Sequence, residues 1–292
     1  MNEKTSTVSK EESSRIYTLF YSFFLIPFMI AIFGAVFFLL FRFITFETND
    51  ASALLNQVKI GSASKRWQSA FELSKVFNNP DLIPKDISFK NQMVSSYNHS
   101  IHDDPLVRAY LALAMGVTRD DFYSDVLVEG LNDDNLESRL AAVQAVGWIG
   151  SSKAEIRLKE IIEDSDYSNE RLAATIALGL IGDSESIPFL KNLLEDEEPN
   201  IQWDAAVALA KMGDPSGAFI IENLMDRHYL NSFPQVDEAE KNQVILVAIE
   251  VSSLLKQDRF ETKLVSLAKS DKNLRIRDAA MKALQSAYNR VI

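Results

Sequence analysis

One pattern recurs along this chain at a nearly constant spacing of 31 or 32 residues. Its clearest copy is Glu170–Asp183, ERLAATIALGLIGD, and close copies occupy 138–151 and 201–214. Looser copies occupy 107–120 and 276–289. The second position of each copy is polar, and its successive occupants are Arg108, Arg139, Arg171, Gln202 and Arg277. A fixed period of this length indicates a solenoid of stacked units.

Each copy has the apolar spacing of a helix with one buried face. Positions 1, 4, 5, 8, 9 and 12 are mostly apolar, and alanine is common among them, so neighbouring helices should pack closely. Gly182–Asp183 and Gly213–Asp214 should end their helices, because glycine accepts the left-handed conformation. Amphipathic stretches at 154–162 and 187–194 predict a further helix between copies. Each unit is therefore expected to be an antiparallel helix pair that stacks on its neighbours.

The close copies resemble the HEAT repeat, in the short form found in the HEAT-like phycobilin-lyase group, which ends its second helix near V-R-x-A-A-x-x-A-L-G-x-I-G-D. The resemblance covers residues 104–290, although at 241–254 only the helical pattern remains. It implies an all-α fold, a HEAT-like α-solenoid of antiparallel helix pairs. In similar repeats, the arginines at position 2 and the aspartates at position 14 tie turns of adjacent units together. Function is not implied, because such repeats serve many unrelated tasks.

Residues 17–41 form a run of 25 residues without a charged side chain. As a helix this run would be about 37 Å long, enough to span a hydrocarbon core of about 30 Å. A secretory signal fits less well, because the run is too long and no small-residue cleavage site follows. A buried helix of a soluble domain is the other alternative, but such helices rarely lack a polar face. The sequence therefore predicts one transmembrane helix ahead of the solenoid, with the lipid bilayer contacted through residues 17–41.

The chain is expected to divide into four parts: a flexible polar N-terminus at 1–15, a transmembrane anchor helix at 16–45, a helical linker and N-terminal cap at 46–103, and the solenoid at 104–292. Three basic residues precede the span, and Arg42 and Lys59 follow it. This bias favours a cytoplasmic N-terminus. We expect a bacterial cytoplasmic membrane protein with its solenoid on the outer, periplasmic side.

Residues 227–240 interrupt the repeat, because the step beyond Gln202 is about ten residues longer than one period. Insertions in solenoids map to loops on one face, and that face is often the binding face. A tolerated surface insertion is the equally weighted alternative, since longer loops cost little stability.

No phosphate loop, dinucleotide fingerprint or nucleophile elbow occurs in the sequence. His99 and His102 lie beside Asp103 and Asp104, but their spacing matches no zinc motif and the chain has no cysteine. A polar linker is the better interpretation. We expect a non-enzymatic protein with no catalytic residue, metal site or cofactor.

The expected soluble part is strongly acidic. Residues 47–292 carry 26 Lys and Arg against 38 Asp and Glu, a net charge of −12. Such a domain should repel nucleic acid and anionic headgroups. Its expected partners are therefore proteins and not nucleic acids.

The candidate partner site lies on the second helices, which in similar repeats line the concave face. Their outward positions 3, 7 and 11 are usually polar, yet seven of nine residues there are apolar in the close copies: Leu140, Trp148, Leu172, Ile176, Leu180, Trp203 and Val207. Gly147 and Gly179 would leave room for close approach. A contiguous apolar patch usually marks a partner site, and tryptophans are favoured as anchors. Internal cover by 47–103 or by 227–240 is the alternative.

The sequence thus predicts a membrane-anchored protein-protein interaction scaffold, or an accessory subunit of a membrane complex, that binds its partner through the concave face. The resemblance allows a chromophore-lyase-like enzyme or chaperone as an alternative. The membrane anchor and the absence of a recognisable tetrapyrrole site count against that alternative. A ligand-sensing regulatory domain is the third possibility.

Overall fold

The computed structural model describes residues 25–44 and 50–291, and every regular element in these ranges is helical. The chain divides into two compact units, Met1–Asn49 and Asp50–Ile292. The described part of the first unit is helix α1 (Ile26–Ile44). Large apolar side chains on α1 are exposed, with Phe28 at 63% and Phe33 at 67%.

The predicted membrane span is only partly covered by these ranges. The polar N-terminus at 1–15 and residues 17–24 of the span lie outside the described residues. Within the described ranges, no helix has both the length and the apolar character needed to cross a bilayer.

The second unit is a series of stacked helix pairs, as the repeat predicts. In residues 50–291 the pairs are α2 (Ala51–Ile60) with α3 (Ala63–Val76), α4 (Ile87–His99) with α5 (Pro105–Val117), α6 (Ser124–Gly130) with α7 (Leu136–Ile149), α8 (Glu155–Asp164) with α9 (Ser168–Ile181), α10 (Ile187–Asn192) with α11 (Pro199–Lys211), α12 (Ala218–Leu224) with α14 (Glu238–Leu255), and α15 (Asp258–Ser270) with α16 (Leu274–Tyr288). A short helix, α13 (Arg227–Leu230), lies in the insertion. The second helix of each pair packs against the second helix of the next. The prediction of an all-α, solenoid-like stack is confirmed.

The stack extends further towards the N-terminus than the recognisable repeats do. Helices α2 and α3 form a pair, and α3 packs on α5 as the later second helices pack on their neighbours. Ala70 and Leu73 of α3 are fully buried in the same core as Leu111 of α5. Arg66 occupies the place of the position-2 arginines: it donates from Nε to the carbonyl oxygen of Val58 at 2.8 Å and pairs with Asp103. Residues 50–103, in the predicted linker and cap, therefore supply the first helix pair and the first helix of the second pair.

Successive second helices approach closely through glycine at position 10 and alanine at position 8 of the next copy. This contact occurs three times: Gly116 with Ala145, Gly147 with Ala177, and Gly179 with Ala208. A Cβ added to Gly179 would lie 2.5 Å from the Cβ of Ala208, closer than real Cβ contacts. Gly147 and Gly179 do leave room for close approach, and the next second helix occupies that room.

Three position-2 arginines, Arg108, Arg139 and Arg171, join neighbouring units, as the resemblance implies. Among the described residues, Arg277 bonds only to the carbonyl oxygen of Asp271 in its own unit. Arg139 donates from Nη1 to the carbonyl oxygen of Asp133 at 2.7 Å, in the turn before its own helix. Its Nη2 donates to Oε2 of Glu170, on the next second helix α9, at 3.0 Å. Arg171 repeats the arrangement with Asp196 one unit later. Each of the three joining arginines thereby fixes the offset between its unit and the following one.

Glycine ends the second helices where the sequence predicts it. Gly182 has φ +71° and Gly213 has φ +78°, both in the left-handed region. The following aspartates begin the next turn: Asp214 Oδ1 accepts from the amide of Ser216 at 2.8 Å, and Asp183 Oδ1 accepts from that of Glu185 at 3.0 Å. The pattern G-D thus stops one helix and starts the next unit.

The glycine–alanine contact can be tested by exchanging its two residues. Alanine for Gly179 should gain about 1 kcal/mol of helix propensity, but overpacking against Ala208 should cost about 1–3 kcal/mol. We expect Gly179→Ala to lower the free energy of unfolding. Adding Ala208→Gly should recover part of the loss, because it removes the colliding Cβ. Urea unfolding of both single variants and the double variant measures the coupling, and strictly additive effects would contradict the contact.

Candidate functional site

The side chains at positions 3, 7 and 11 of the second helices form one face, here called the second-helix face. Its most exposed apolar members are Trp148 at 38%, Ile176 at 42% and Leu180 at 44%. These three residues are called the exposed stripe. Three further members of the predicted set are half-buried beside it: Leu140, Leu172 and Val207.

The position-11 side chains of the exposed stripe lie over the preceding second helix. Trp148 Cε3 would be 3.1 Å from a Cβ added at Gly116, and Leu180 Cδ1 would be 3.5 Å from one added at Gly147. The small residue at position 10 therefore seats the large side chain of the next unit. The same small residues therefore allow close helix packing and seat Trp148 and Leu180 of the exposed stripe.

Trp203 departs from the prediction, because it is only 6% exposed. The insertion covers it. The Phe233 ring meets the Trp203 ring edge-on with centroids 4.9 Å apart, and Trp203 Nε1 donates to Tyr229 Oη at 3.2 Å. For this residue the alternative of internal cover by 227–240 is correct, and Trp203 is no exposed anchor.

The insertion is fixed to the units around it. Arg227 Nε donates to Asp271 Oδ2 at 2.7 Å, and its Nη2 donates to Asp271 Oδ1 at 2.8 Å and to Asn242 Oδ1 at 2.7 Å. Burial acts to raise the pKa of the Asp271 carboxyl, but the hydrogen bonds from Arg227 and from the Asn273 amide, together with the nearby positive charges of Arg227 and Lys272, hold that pKa below its usual value. In the copy at 241–254, position 2 is Asn242 and not an arginine. Arg227 of the insertion therefore supplies the arginine that joins the two units there. The insertion is thus an integral part of the stack.

A cleft of about 310 Å³ lies between the insertion and the second-helix face. Its walls are mainly aliphatic and include Leu172, Val207, Val236, Val244 and Val247. Leu172 and Val207 also belong to the second-helix face, so the cleft adjoins the exposed stripe. The sequence did not reveal this cleft, because Val236 and Val244 lie in the part of the chain with the least recognisable repeat.

Asp204 lines this cleft and is half-buried there; Glu240 is the other carboxylate among the lining residues. Burial raises the pKa of Asp204 to about 6, and Lys211 opposes the rise only in part. Neither a hydrogen bond nor an ion pair engages this carboxylate within the part of the chain that the structure describes. A carboxyl group perturbed in this way inside a cleft is a candidate functional group.

The sequence contained a signal for Asp204 that the repeat analysis missed. Position 4 belongs to the buried face, and the two preceding copies have Ala141 and Ala173 there. An acidic residue at a position that is apolar in the other copies departs from what helix packing requires, and such departures are expected at functional sites.

The polar residues around His99 are used in local structure. Asp104 Oδ1 accepts from the amide of Leu106 at 3.0 Å and begins α5, while Asp103 pairs with Arg66. His99 Nδ1 lies 2.7 Å from the carbonyl oxygen of Ser95. No group of three or more histidine and acidic side chains is arranged to hold a metal ion in residues 25–44 and 50–291.

Comparisons with known proteins agree with the fold. The sequence matches the HEAT-repeat family over residues 99–179 and 157–229. No curated protein matches it. The CpcE–CpcF complex of phycocyanin lyase from Nostoc sp. PCC7120 is similar in structure, with 16% identity and a TM-score of 0.56 over 80% of this chain and 86% of that one. Human deoxyhypusine hydroxylase in complex with glycerol also matches, with 16% identity and a TM-score of 0.36 over 82% of this chain and 85% of that one. The chain therefore carries HEAT-like repeats, and the likeness extends to the fold alone.

Replacement of Trp203 tests whether the insertion is part of the core. We expect Trp203→Ala to lower the free energy of unfolding by about 3–5 kcal/mol, as large-to-small core changes do. Ile176→Ala is the matched control on the exposed stripe and should cost less than about 1 kcal/mol. Urea unfolding of the full chain in mild detergent measures both, and equal small losses would show that Trp203 is not buried by the insertion.

The pKa of Asp204 predicts an unusual dependence of stability on pH. The folded protein binds a proton at Asp204 up to about pH 6, whereas the unfolded chain releases it near 3.8. Stability should therefore fall as pH rises through this window. Asp204→Asn removes the charge, so it should stabilise the protein at pH 7 by about 1–2 kcal/mol, allowing for partial solvent screening, and by much less near pH 4.

The control for this prediction is Asp278→Asn, since Asp278 is an exposed acid on α16 that pairs with Lys282. Its effect should be small at both pH values. Urea unfolding across the range from about pH 4 to pH 7 provides the comparison. A stabilisation by Asp204→Asn that does not change with pH would contradict the assignment.

Proposed function

We propose that this protein is a non-catalytic, membrane-anchored scaffold or accessory subunit that binds a protein partner through the exposed stripe. The observation that carries the proposal is the exposure of Trp148, Ile176 and Leu180 together on two successive second helices. The chain is otherwise acidic, with a net charge of −11. A contiguous apolar patch on a well-solvated surface usually marks an interaction site.

Packing within the units supports a role in binding for these three residues. The stack already has a continuous core of small and branched residues on the other faces of the second helices, including Ala142, Ala174 and Leu178. Stacking therefore does not require large apolar groups at positions 7 and 11. Aromatic side chains such as Trp148 are enriched in the centres of protein interfaces.

The anchor is proposed from the uncharged run at 17–41, part of which lies in α1, and from the exposed apolar side chains of that helix. A bilayer would bury such side chains. The basic residues before the run favour a cytoplasmic N-terminus, so the solenoid would lie on the outer side of a bacterial cytoplasmic membrane.

A second candidate function comes from the similar CpcE–CpcF complex of phycocyanin lyase. A chromophore-lyase-like enzyme or chaperone would use the same face to hold a pigment-bearing partner. Copurification of a pigment with the protein from its own host would support this candidate, and a colourless preparation would count against it.

Charge placed in the exposed stripe should abolish partner binding without unfolding the protein. We expect Leu180→Asp to lose the copurifying partner almost completely, because a buried unpaired charge at an interface costs several kcal/mol. Ile156→Asp is the control, since Ile156 on first helix α8 is 76% exposed. Quantitative affinity purification in mild detergent measures partner recovery, and thermal melting checks the fold. Equal partner recovery from both variants would contradict the proposal.

Fractionation tests the anchor. The full chain should remain in the membrane fraction after washing with salt and carbonate, and deletion of residues 1–46 should release a soluble helical protein, because a spanning helix is held by its apolar surface. Extraction of the full chain by carbonate alone would contradict the anchor. A reporter fused after Ile292 should be active only outside the cytoplasm, and cytoplasmic activity would reverse the orientation.

A further inference from the structure

The cleft beside Asp204 joins two features that the fold alone does not need. One is the carboxylate, which takes a position where the two preceding units have alanine. The other is the insertion, which closes the far side of the cleft with Val236 and leads into α14 with Val244. An apolar wall with one convergent polar group is typical of a binding site.

The half-buried Asp204 carboxylate lies among the aliphatic side chains of the cleft, and this points to a cationic binding partner. A carboxylate set against aliphatic side chains loses hydration, and only a hydrogen bond or an opposite charge restores the loss. Neither engages Asp204 in residues 50–291. A cation brought into the cleft would supply both.

The charges around the cleft favour a cation. Helix α11 contributes Asp204 and the more exposed Lys211. Helix α14 contributes Glu240, whose Oε2 also accepts a hydrogen bond from the amide of Asp237 at 3.0 Å. Asn200 and Gln243 are neutral, while α9 and α12 present leucines. Two carboxylates face the cleft, and one of them, Asp204, has no hydrogen-bond or ion-pair partner among residues 50–291.

We propose that the cleft binds the side chain of a lysine from a partner segment that lies along the exposed stripe, with the ammonium group on Asp204. This inference rests on the proposed function, because Leu172 and Val207 connect the cleft to the stripe. The aliphatic stem of lysine suits walls of valine and leucine. Arginine would gain most from stacking on an aromatic face, but the Trp203 ring is already packed against Phe233 and Tyr229.

The first arm of the test uses n-butylamine, which reproduces the lysine side chain, and 1-butanol as its neutral counterpart. Full-length protein in nanodiscs of zwitterionic lipid, with labelled valine methyl groups, reports binding through the signals of Val244 and Val247. We expect saturable shifts with butylamine that weaken about tenfold or more in Asp204→Asn, the loss of one close charge pair. Asp278→Asn should bind as the unaltered protein does. Butanol should bind more weakly and equally to all three proteins.

The second arm uses an amphipathic helical peptide of about five turns with leucines on one face and a single lysine among them, compared with the same peptide carrying norleucine there. The lysine peptide should bind more tightly, and Asp204→Asn should remove the difference. Butylamine binding that does not depend on Asp204 would overturn the proposal. Asp204-dependent butylamine binding with no preference for the lysine peptide would overturn it in favour of a small-amine site.

This test is independent of partner capture. If Leu180→Asp retains the partner while butylamine still binds through Asp204, the proposed function fails and the cation site stands. If partner capture depends on Leu180 but butylamine does not bind in the cleft, only the proposed cation site is contradicted.

Discussion

The close contact between glycine and alanine on successive second helices determines most of this structure. Because Gly147 meets Ala177 and Gly179 meets Ala208, the helices lie near enough for Arg139 and Arg171 to reach an acidic residue of the next unit. The same closeness lets Leu180 of the exposed stripe lie over Gly147. Packing, inter-unit ion pairs and the candidate binding face therefore depend on a few small residues.

The insertion shows how a repeat can be interrupted without loss of the stack. Where α14 lacks a position-2 arginine, Arg227 provides the link to Asp271, and Tyr229 and Phe233 bury Trp203. The interruption adds a wall to the second-helix face and encloses the cleft that contains Asp204. The insertion, which departs from the repeat, thus completes the cleft around the Asp204 carboxylate.

Sequence alone predicted the parts of this fold that repeat. The period, the small residues and the terminal glycines predicted stacked helix pairs, and the position-2 column predicted the arginine links. The sequence left cover of Trp203 by residues 227–240 open as one alternative and did not reveal the cleft, because both depend on where that insertion folds back and nothing in the repeat encodes its path. Asp204 was visible as an acid at a position that is apolar in the other copies, but only the structure shows that no side chain or amide in residues 50–291 engages its carboxylate.

The most direct test of the account is site-specific photocrosslinking in native membranes. A benzophenone amino acid placed at position 180 should crosslink one defined protein partner, because Leu180 lies in the exposed stripe. The same group at position 156, on first helix α8, should give no such product although Ile156 is more exposed. Equal crosslinking at both positions, or none at position 180, would contradict the claim that the second-helix face is the partner surface.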